Sequence, residues 1–440
     1  MMEEDLQQLP KDAYMVGLDI GTTKISVMIG RKNEYDKLEI LGTGRAVSNG
    51  VSRGIVANID KTVESIKEAV EEAKLKSGLE IEDVFIGIAG QHIKSLQHRG
   101  EIVRDNIEVE IDKEDIAKLK SNMFKLITIP GEEVIHVIPQ EYTVDGEDGI
   151  QDPKGMAGVK LEANFHVITA QVGAVRNIIR CVEKAGLKPK DLILEPFASA
   201  DATLDADELR EGVALVDIGG GTTDVAIFLD NIIRHTAVIP FGGNVITKDI
   251  KVGLEILEKQ AELLKIKFGS AMYTDDQENV MVSIPGLRGR PPKEIAVKTL
   301  SEIIGARYKE IVDLVYHQIK ISGYENKLMT GIVLTGGGSQ IRNLKQLVAY
   351  VTGKETRIGL PNEHLGAESF DKVVSPMYAT GVGLVLKGFE YAKQHPDKIS
   401  IPVKVGDEVE EGVDEEVSDE EPSLIDRISG WFTEDANKTN

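Results

Sequence analysis

One segment of this chain occurs twice. Residues 14–30 read YMVGLDIGTTKISVMIG and residues 212–228 read GVALVDIGGGTTDVAIF. Each copy is an apolar strand, an aspartate, a turn rich in Gly and Thr, and a second apolar strand. In the first copy Val16, Leu18 and Ile20 alternate before the turn, and Ile25, Val27 and Ile29 after it. That period of two predicts a β-hairpin in each copy. The copies begin about 200 residues apart, too far for a solenoid repeat. They imply two related halves that face each other.

The remaining pattern fits that plan. Helix signals cover 60–77 and 173–185, with strands at 38–42, 84–88 and 190–194. Later come helices at 294–321 and 376–393 and an apolar strand at 330–334. Strands alternating with helices predict mainly parallel sheets covered by helices. Residues 85–167 break the rhythm: strand-like runs surround one helix near 112–124, where Asp112 and Asp115 have the spacing of an N-terminal cap. We read them as an inserted α+β subdomain.

Each turn lets backbone N–H groups approach phosphate oxygens, and threonine hydroxyls add donors. Asp19 and Asp217 precede the turns. Carboxylates repel a polyphosphate but can hold Mg²⁺, usually through water, and the metal bridges the phosphates. The alternative is a pair of merely tight turns, which the second copy disfavours. A third glycine run, Gly336-Gly337-Gly338-Ser339, follows an apolar strand and precedes a helix, an arrangement that sets backbone against a nucleotide. Gly242-Gly243 enters another helix.

Composition removes other classes. The net charge of −22 argues against nucleic acid as a partner. Cys181 is the only cysteine, so disulfide frameworks and cysteine-based zinc sites are excluded; its apolar context predicts a buried helix residue. The acidic N-terminus lacks the apolar core of a signal peptide, and no stretch approaches the ~18 apolar residues of a membrane span. The expected location is cytoplasmic, unless a smaller element attaches the chain to a surface. Residues 401–440 carry thirteen acidic side chains against Lys404, Arg427 and Lys438. Nine acids between Glu408 and Glu421 predict a solvated, extended linker. After it, Leu424, Ile425, Ile428, Trp431 and Phe432 fall on one helical face. Such a helix can dock on its own fold, fill a partner groove or lie in a membrane interface. Burying five such side chains yields a gross ~7–15 kcal/mol and ordering about nine residues costs ~1–2 kcal/mol each. A single tail would therefore bind reversibly, and several on a polymer by avidity.

DIGTTK, DIGGGTTD, LTGGGS and the preceding LILEPFASA together resemble the actin/Hsp70/sugar-kinase ATPase superfamily, over about residues 14–393. Within it the chain resembles the FtsA family of bacterial cell-division proteins, by the position of the insert, the stretch PFGGNVITKDI and the acidic linker with its amphipathic end. The resemblance implies an α/β, actin-like two-lobed ATPase fold with an inserted α+β subdomain and a disordered C-terminal linker ending in an amphipathic helix. It implies lobes at 14–84 with 168–205 and at 206–246 with 326–394, an insert at 85–167, a small subdomain at 247–325, a linker at 395–422 and a membrane-targeting helix at 423–433.

The same resemblance assigns ATP and Mg²⁺ as cofactors. Gly21, Thr22, Thr23 and Lys24 match the first phosphate loop; Gly219, Gly220, Gly221, Thr222 and Thr223 match the second. Gly336, Gly337, Gly338 and Ser339 match the adenosine motif, with Gly242 and Gly243 beside it. Glu262 and Lys265 match the ribose and adenine contacts, although read alone they are an exposed i,i+3 helix pair. Glu195 matches the residue that orients the attacking water, or is simply a glutamate ending a strand. No counterpart of the chaperones' catalytic lysine is found, so at most a slow ATPase is expected. Implied partners are the C-terminal tail of FtsZ, further copies of this chain in a filament, a lipid surface and downstream division proteins. Arg288, Arg290, Lys293 and Arg307 make the small subdomain locally basic, with Arg307 the implied contact, against the alternative of a solvated basic surface. The tail departs from the family's anchors, since Arg427 is its one nearby cation. A sugar kinase would need a sugar-binding Asp base, a chaperone a substrate-binding domain after the core, and a pilus-assembly relative would lack the anchor.

Overall fold

The computed structural model describes residues 13–104, 109–125, 130–275, 278–286, 291–366, 369 and 373–395. Apart from His395, the expected linker and the amphipathic helix lie outside these residues.

The first repeat begins a five-stranded sheet. β1 (Tyr14–Ile20), β2 (Lys24–Lys32) and β3 (Leu38–Val47) form an antiparallel meander. A small hairpin, β4 (Val51–Ser52) and β5 (Ile55–Val56), leads to α1 (Ile59–Ser77) and then to β6 (Asp83–Ile88), which joins β1 in parallel. Asn58 caps α1, accepting from the Lys61 N–H, and Gly78 ends it in the left-handed region. Gly44 is needed on β3, because a Cβ there would fall 1.7 Å from the Ala69 carbonyl of α1.

The insert follows: β7 (Ile93–Val103), α2 (Lys113–Phe124), β8 (Glu132–Val144), β9 (Glu147–Ile150) and β10 (Lys160–Gln171), with sheet order β7-β10-β8-β9. Asp112 and Asp115 make a reciprocal capping box on α2. The chain returns to the first lobe through α3 (Val172–Lys184), β11 (Lys188–Leu194) and α4 (Glu195–Thr203), and β11 completes the order β11-β6-β1-β2-β3. Cys181 is buried within α3, and burial pushes its thiol up to about 11.

After α5 (Ala206–Glu211) the topology repeats. β12 (Val213–Ile218), β13 (Thr223–Leu229) and β14 (Ile232–Ile239) form a second meander. α6 (Gly243–Gly253), α7 (Glu258–Phe268), the hairpin β15 (Met281–Ile284) and β16 (Lys293–Ala296), and α8 (Val297–Ile321) precede β17 (Ile332–Thr335), α9 (Leu344–Thr352), β18 (Thr356–Ile358) and α10 (Ala379–Gln394). The sheet order is β14-β13-β12-β17-β18, with the last two pairings parallel.

Two expectations need correction. The lobe sheets are mixed rather than mainly parallel, because the short turns of each repeat can only fold strands back antiparallel; parallel pairing begins after a helical crossover. Residues 294–296, expected to be helical, finish strand β16.

Each lobe sheet packs one face on its own helices. Val16, Leu18 and Ile86 meet Ile66, Val70 and Val175 in the first lobe, and Val216, Val225 and Leu334 meet Ile246, Ile304 and Ile311 in the second. The opposite faces are covered by exchange. α10, last along the chain, packs Val382, Val385 and Phe389 on Met15, Met28 and Phe85 of the first sheet. α4 sets Ala200 against Leu215, Ala226 and Val333 of the second.

Candidate functional site

A cleft of about 470 Å³ opens between the lobes where the two repeats meet. Asp19 and Asp217 end the middle strands β1 and β12 and both line it. The turns themselves touch. Thr23 Oγ1 donates to Asn244 Oδ1 across the lobes at 3.3 Å, and Thr22 Oγ1 accepts the Gly54 N–H at 3.1 Å. Gly243 and Asn244 N–H groups donate to the Gly219 and Gly220 carbonyls at 2.9 and 2.8 Å, pinning the start of α6 to the second turn.

Most expected site residues converge here: Gly21, Thr22, Thr23, Lys24, Glu195, Gly219, Gly220, Gly221, Thr222, Gly243, Glu262, Lys265, Gly336, Gly337 and Gly338 all line the cleft. Thr223, Gly242 and Ser339 do not. Thr223 Oγ1 turns inward to the Phe241 carbonyl at 2.8 Å, and Ser339 Oγ donates to the Gly336 carbonyl at 2.7 Å. Both hydroxyls brace their turns. A side chain next to a glycine turn points into the cleft or into the fold according to the turn's local twist, which the letters do not specify.

The lysines are locked. Lys24 Nζ donates to the Met377 carbonyl at 2.8 Å and to Ser26 Oγ at 3.3 Å, and stands 3.6 Å from Asp19. Lys265 is buried, not exposed, and its ammonium meets the Gly243 carbonyl, Thr247 Oγ1 and Glu262 at 2.8–2.9 Å.

Of the five carboxylates that line the cleft among the described residues, Glu262 is paired with Lys265, and Asp19, Glu195, Asp217 and Asp224 are the other four. Burial pushes Asp217 up to about 6, against the hydrogen bond from Ser199 at 2.9 Å. Burial and then the charge of Asp217 push Asp224 up to about 7, against the hydrogen bond from Thr222. Glu195, first residue of α4, is raised well above the usual range by burial and by Asp19, Asp224 and Asp217. Raised carboxyls side by side call for a cation. Among the described residues no three His, Cys, Asp or Glu side chains are grouped closely enough to ligate a metal together. Were an ion bound here, these carboxylates would hold it through water rather than by direct ligation. Asp224 Oδ1, buried without a hydrogen-bond partner, suits such a shell. The sequence reading passed over Asp224, although it directly follows the Thr222-Thr223 pair. It also missed Asn244 and Tyr308; the Tyr308 hydroxyl donates to the Gly338 carbonyl at 2.7 Å.

Of the four basic residues singled out in the small subdomain, the two that are described are both already paired. Arg307 is bidentate with Asp249, at 2.5 and 3.1 Å, and also pairs with Glu310. Lys293 donates to the Leu254 carbonyl at 2.6 Å. Arg288, Arg290, Leu424, Ile425, Ile428, Trp431 and Phe432 lie outside the described residues.

Duplicated lobes, a cleft between paired Asp–glycine turns and an inserted domain define an actin-like protein. Solved structures agree at the level of fold. The PilM–PilN type IV pilus biogenesis complex has a TM-score of 0.61 at 18% identity, covering 86% of this chain and 99% of that one. MreB5 of Spiroplasma citri bound to ADP has a TM-score of 0.50 at 16% identity, covering 88% and 98%. The family model for cell division protein FtsA matches residues 214–383, and that for the SHS2 domain inserted in FtsA matches residues 90–169. Cell division protein FtsA of Pseudomonas aeruginosa is 38% identical over 378 residues, 86% of this chain and 89% of that protein. That of Escherichia coli K12 is 33% identical over 383 residues, covering 86% and 90%, and that of Borreliella burgdorferi 35% over 424 residues, covering 95% and 98%. The chain belongs to the FtsA family of cell-division proteins.

Proposed function

We propose that this actin-like cell-division protein binds ATP with Mg²⁺ in the interlobe cleft, assembles with copies of itself on the cytoplasmic face of the membrane and tethers the FtsZ ring there. The observation that carries the nucleotide reading is the convergence of Asp19, Asp217 and both glycine turns on one cleft of about 470 Å³. Backbone N–H groups of the turns would hold the phosphates. The metal, when bound through water to Asp19 and Asp217, supplies positive charge between the phosphates. Gly336–Gly338, Glu262 and Lys265 would frame the nucleoside. Glu195, which lines the same cleft, would orient a water, and the lack of a counterpart to the chaperones' catalytic lysine favours slow turnover or none.

Membrane attachment rests on the amphipathic pattern of residues 424–432, supported by family membership. No helix among the described residues is long and apolar enough to cross a membrane. FtsZ docking is assigned to the small subdomain, where an acidic partner tail would compete with Asp249 for Arg307. The experiment is calorimetry of Mg·ATP with the wild type, Asp19→Ala and Asp217→Ala, followed by co-sedimentation with liposomes and FtsZ. Loss of ATP binding in both variants supports the cleft; undiminished affinity in both rejects it. Flotation of Trp431→Glu/Phe432→Glu equal to wild type rejects the tail as anchor, and unchanged affinity of Arg307→Glu for an FtsZ tail peptide rejects that contact.

A further inference from the structure

Among the described residues three cationic side chains line the cleft, and two are already committed. Lys24 is held by Met377, Ser26 and Asp19, and Lys265 by Gly243, Thr247 and Glu262. An ammonium has three donors, so neither lysine can turn to a ligand without giving up a bond in the fold. The third is Arg45, on β3. Its backbone N–H is fixed to Glu72 Oε2 at 2.7 Å. Among the described residues its guanidinium has no hydrogen-bond or ion-pair partner. Glu72 does not claim it: that carboxylate is lowered first by the Lys76 hydrogen bond, then by the Arg45 backbone, and least by the charge of Arg45.

Strand register sets Arg45 on the sheet face that carries Asp19. Asp19 pairs with Ser26, and Ser26 pairs with Arg45. Directly opposed residues share a sheet face, so the three side chains stand in one row that starts beside the first glycine turn. At ~4.8 Å between strands, Arg45 lies about 10 Å along that row from Asp19, a gap that a long side chain and a phosphate group together span. The row is otherwise acidic or neutral. A bound triphosphate would add charge to a cleft already lined by five carboxylates among the described residues.

We infer that Arg45 is a specificity-determining residue, which turns its guanidinium onto the terminal phosphate of a bound nucleoside triphosphate. This rests on the nucleotide reading above. The guanidinium fork matches two phosphate oxygens and keeps its charge at any physiological pH. A diphosphate lacks the outer group, so Arg45 then stays in solvent at the rim. The lobes' own phosphate turns hold what tri- and diphosphate share, and Arg45 reads the difference.

The test is calorimetry of the full chain with Mg·AMP-PNP and with Mg·ADP, for wild type, Arg45→Ala and Arg45→Lys. R45A should weaken AMP-PNP by about tenfold or more and ADP by less than about twofold, with R45K between R45A and wild type. Thermal unfolding of the unliganded variants should match wild type, because Arg45 is exposed and its backbone bond survives substitution. No change in either nucleotide would make Arg45 a solvated rim cation, and equal weakening of both would make it a contact to the shared phosphates; either result overturns the inference. Failure of the wild type to bind either nucleotide would instead overturn the nucleotide reading, and Arg45's role with it.

Discussion

Gly220 shows how little room the facing turns leave. A Cβ there would lie 1.8 Å from Thr23 Oγ1 in the other lobe, closer than any side chain tolerates. Gly220→Ala should leave each lobe folded but spread the turns, lowering nucleotide affinity at least about tenfold, as read by calorimetry. Gly78→Ala is the control. Its added methyl meets nothing within 4 Å, and only the left-handed backbone at φ 68° is strained, so it should cost about 1 kcal/mol of stability and leave affinity unchanged. Asp224 gives a pH signature. Its carboxyl is raised to about 7 in the fold against ~3.9 in an unfolded chain. The protonated form is therefore favoured by folding. That contribution is complete below about pH 4 and is lost as pH rises through 7. Asp224→Asn should remove this part of the pH dependence from the unliganded protein's melting curve; an identical pH profile would show that Asp224 titrates normally.

The insert meets the second lobe along one strand. Gln140 Nε2 donates to the Ile233 carbonyl at 2.6 Å, Ser95 Oγ to Thr236 at 3.1 Å and Gln97 Nε2 to Arg234 at 3.2 Å, all on edge strand β14. Side chains thus satisfy an edge that would otherwise be open. His166 faces Thr236 Oγ1 at 3.1 Å in the same seam. Burial, and then His235, hold His166 down to about 4; burial alone does so for His92, and burial then Lys120 for His136. All three are depressed below the ~6.5 of an unfolded chain. Their neutral forms therefore stabilise the fold above about 6.5, and this is lost as pH falls through 4, opposite in sign to Asp224. We expect acidification from pH 7 to 5 to destabilise the insert before the lobes, seen as hydrogen exchange rising first in β8 and β10. His166→Gln keeps a polar contact to Thr236 and should reduce that sensitivity. Uniform exchange across the chain would refute a local effect.

At the scale of the whole molecule, the lobes are joined by exchanged helices. α4 leaves the first lobe to cover the second sheet, and α10 returns from the second to cover the first. They cross at Gly383, where a Cβ would fall 1.7 Å from the Ala198 carbonyl. α4 starts at Glu195 in the cleft, so a shift at this crossing is expected to reach the site. Gly383→Ala should force the helices apart and cost roughly 1–3 kcal/mol by overpacking, measured by denaturant unfolding, and should also weaken nucleotide binding. An unchanged midpoint would mean the crossing is looser than described.

The repeat, its two aspartates and its glycine turns were legible because they are local. A strand period of two and a turn that only small residues can make are written within a few positions. The capping box of α2 was legible for the same reason. What the letters did not hold was decided by contacts between distant segments. Lys265 reads as a surface helix residue until α6 brings the Gly243 carbonyl and Thr247 against it. Arg307 reads as a free cation until Asp249 meets it. Asp224 is set opposite Asp217 by the β12–β13 hairpin itself, but its carboxyl is raised chiefly by burial in the folded protein. α10 was placed with the lobe that precedes it in sequence, yet its apolar face fits the sheet of the other. Sequence spacing fixes which face of an element is apolar. Which surface that face covers, and which charges are thereby desolvated together, is set only when the two halves close on each other.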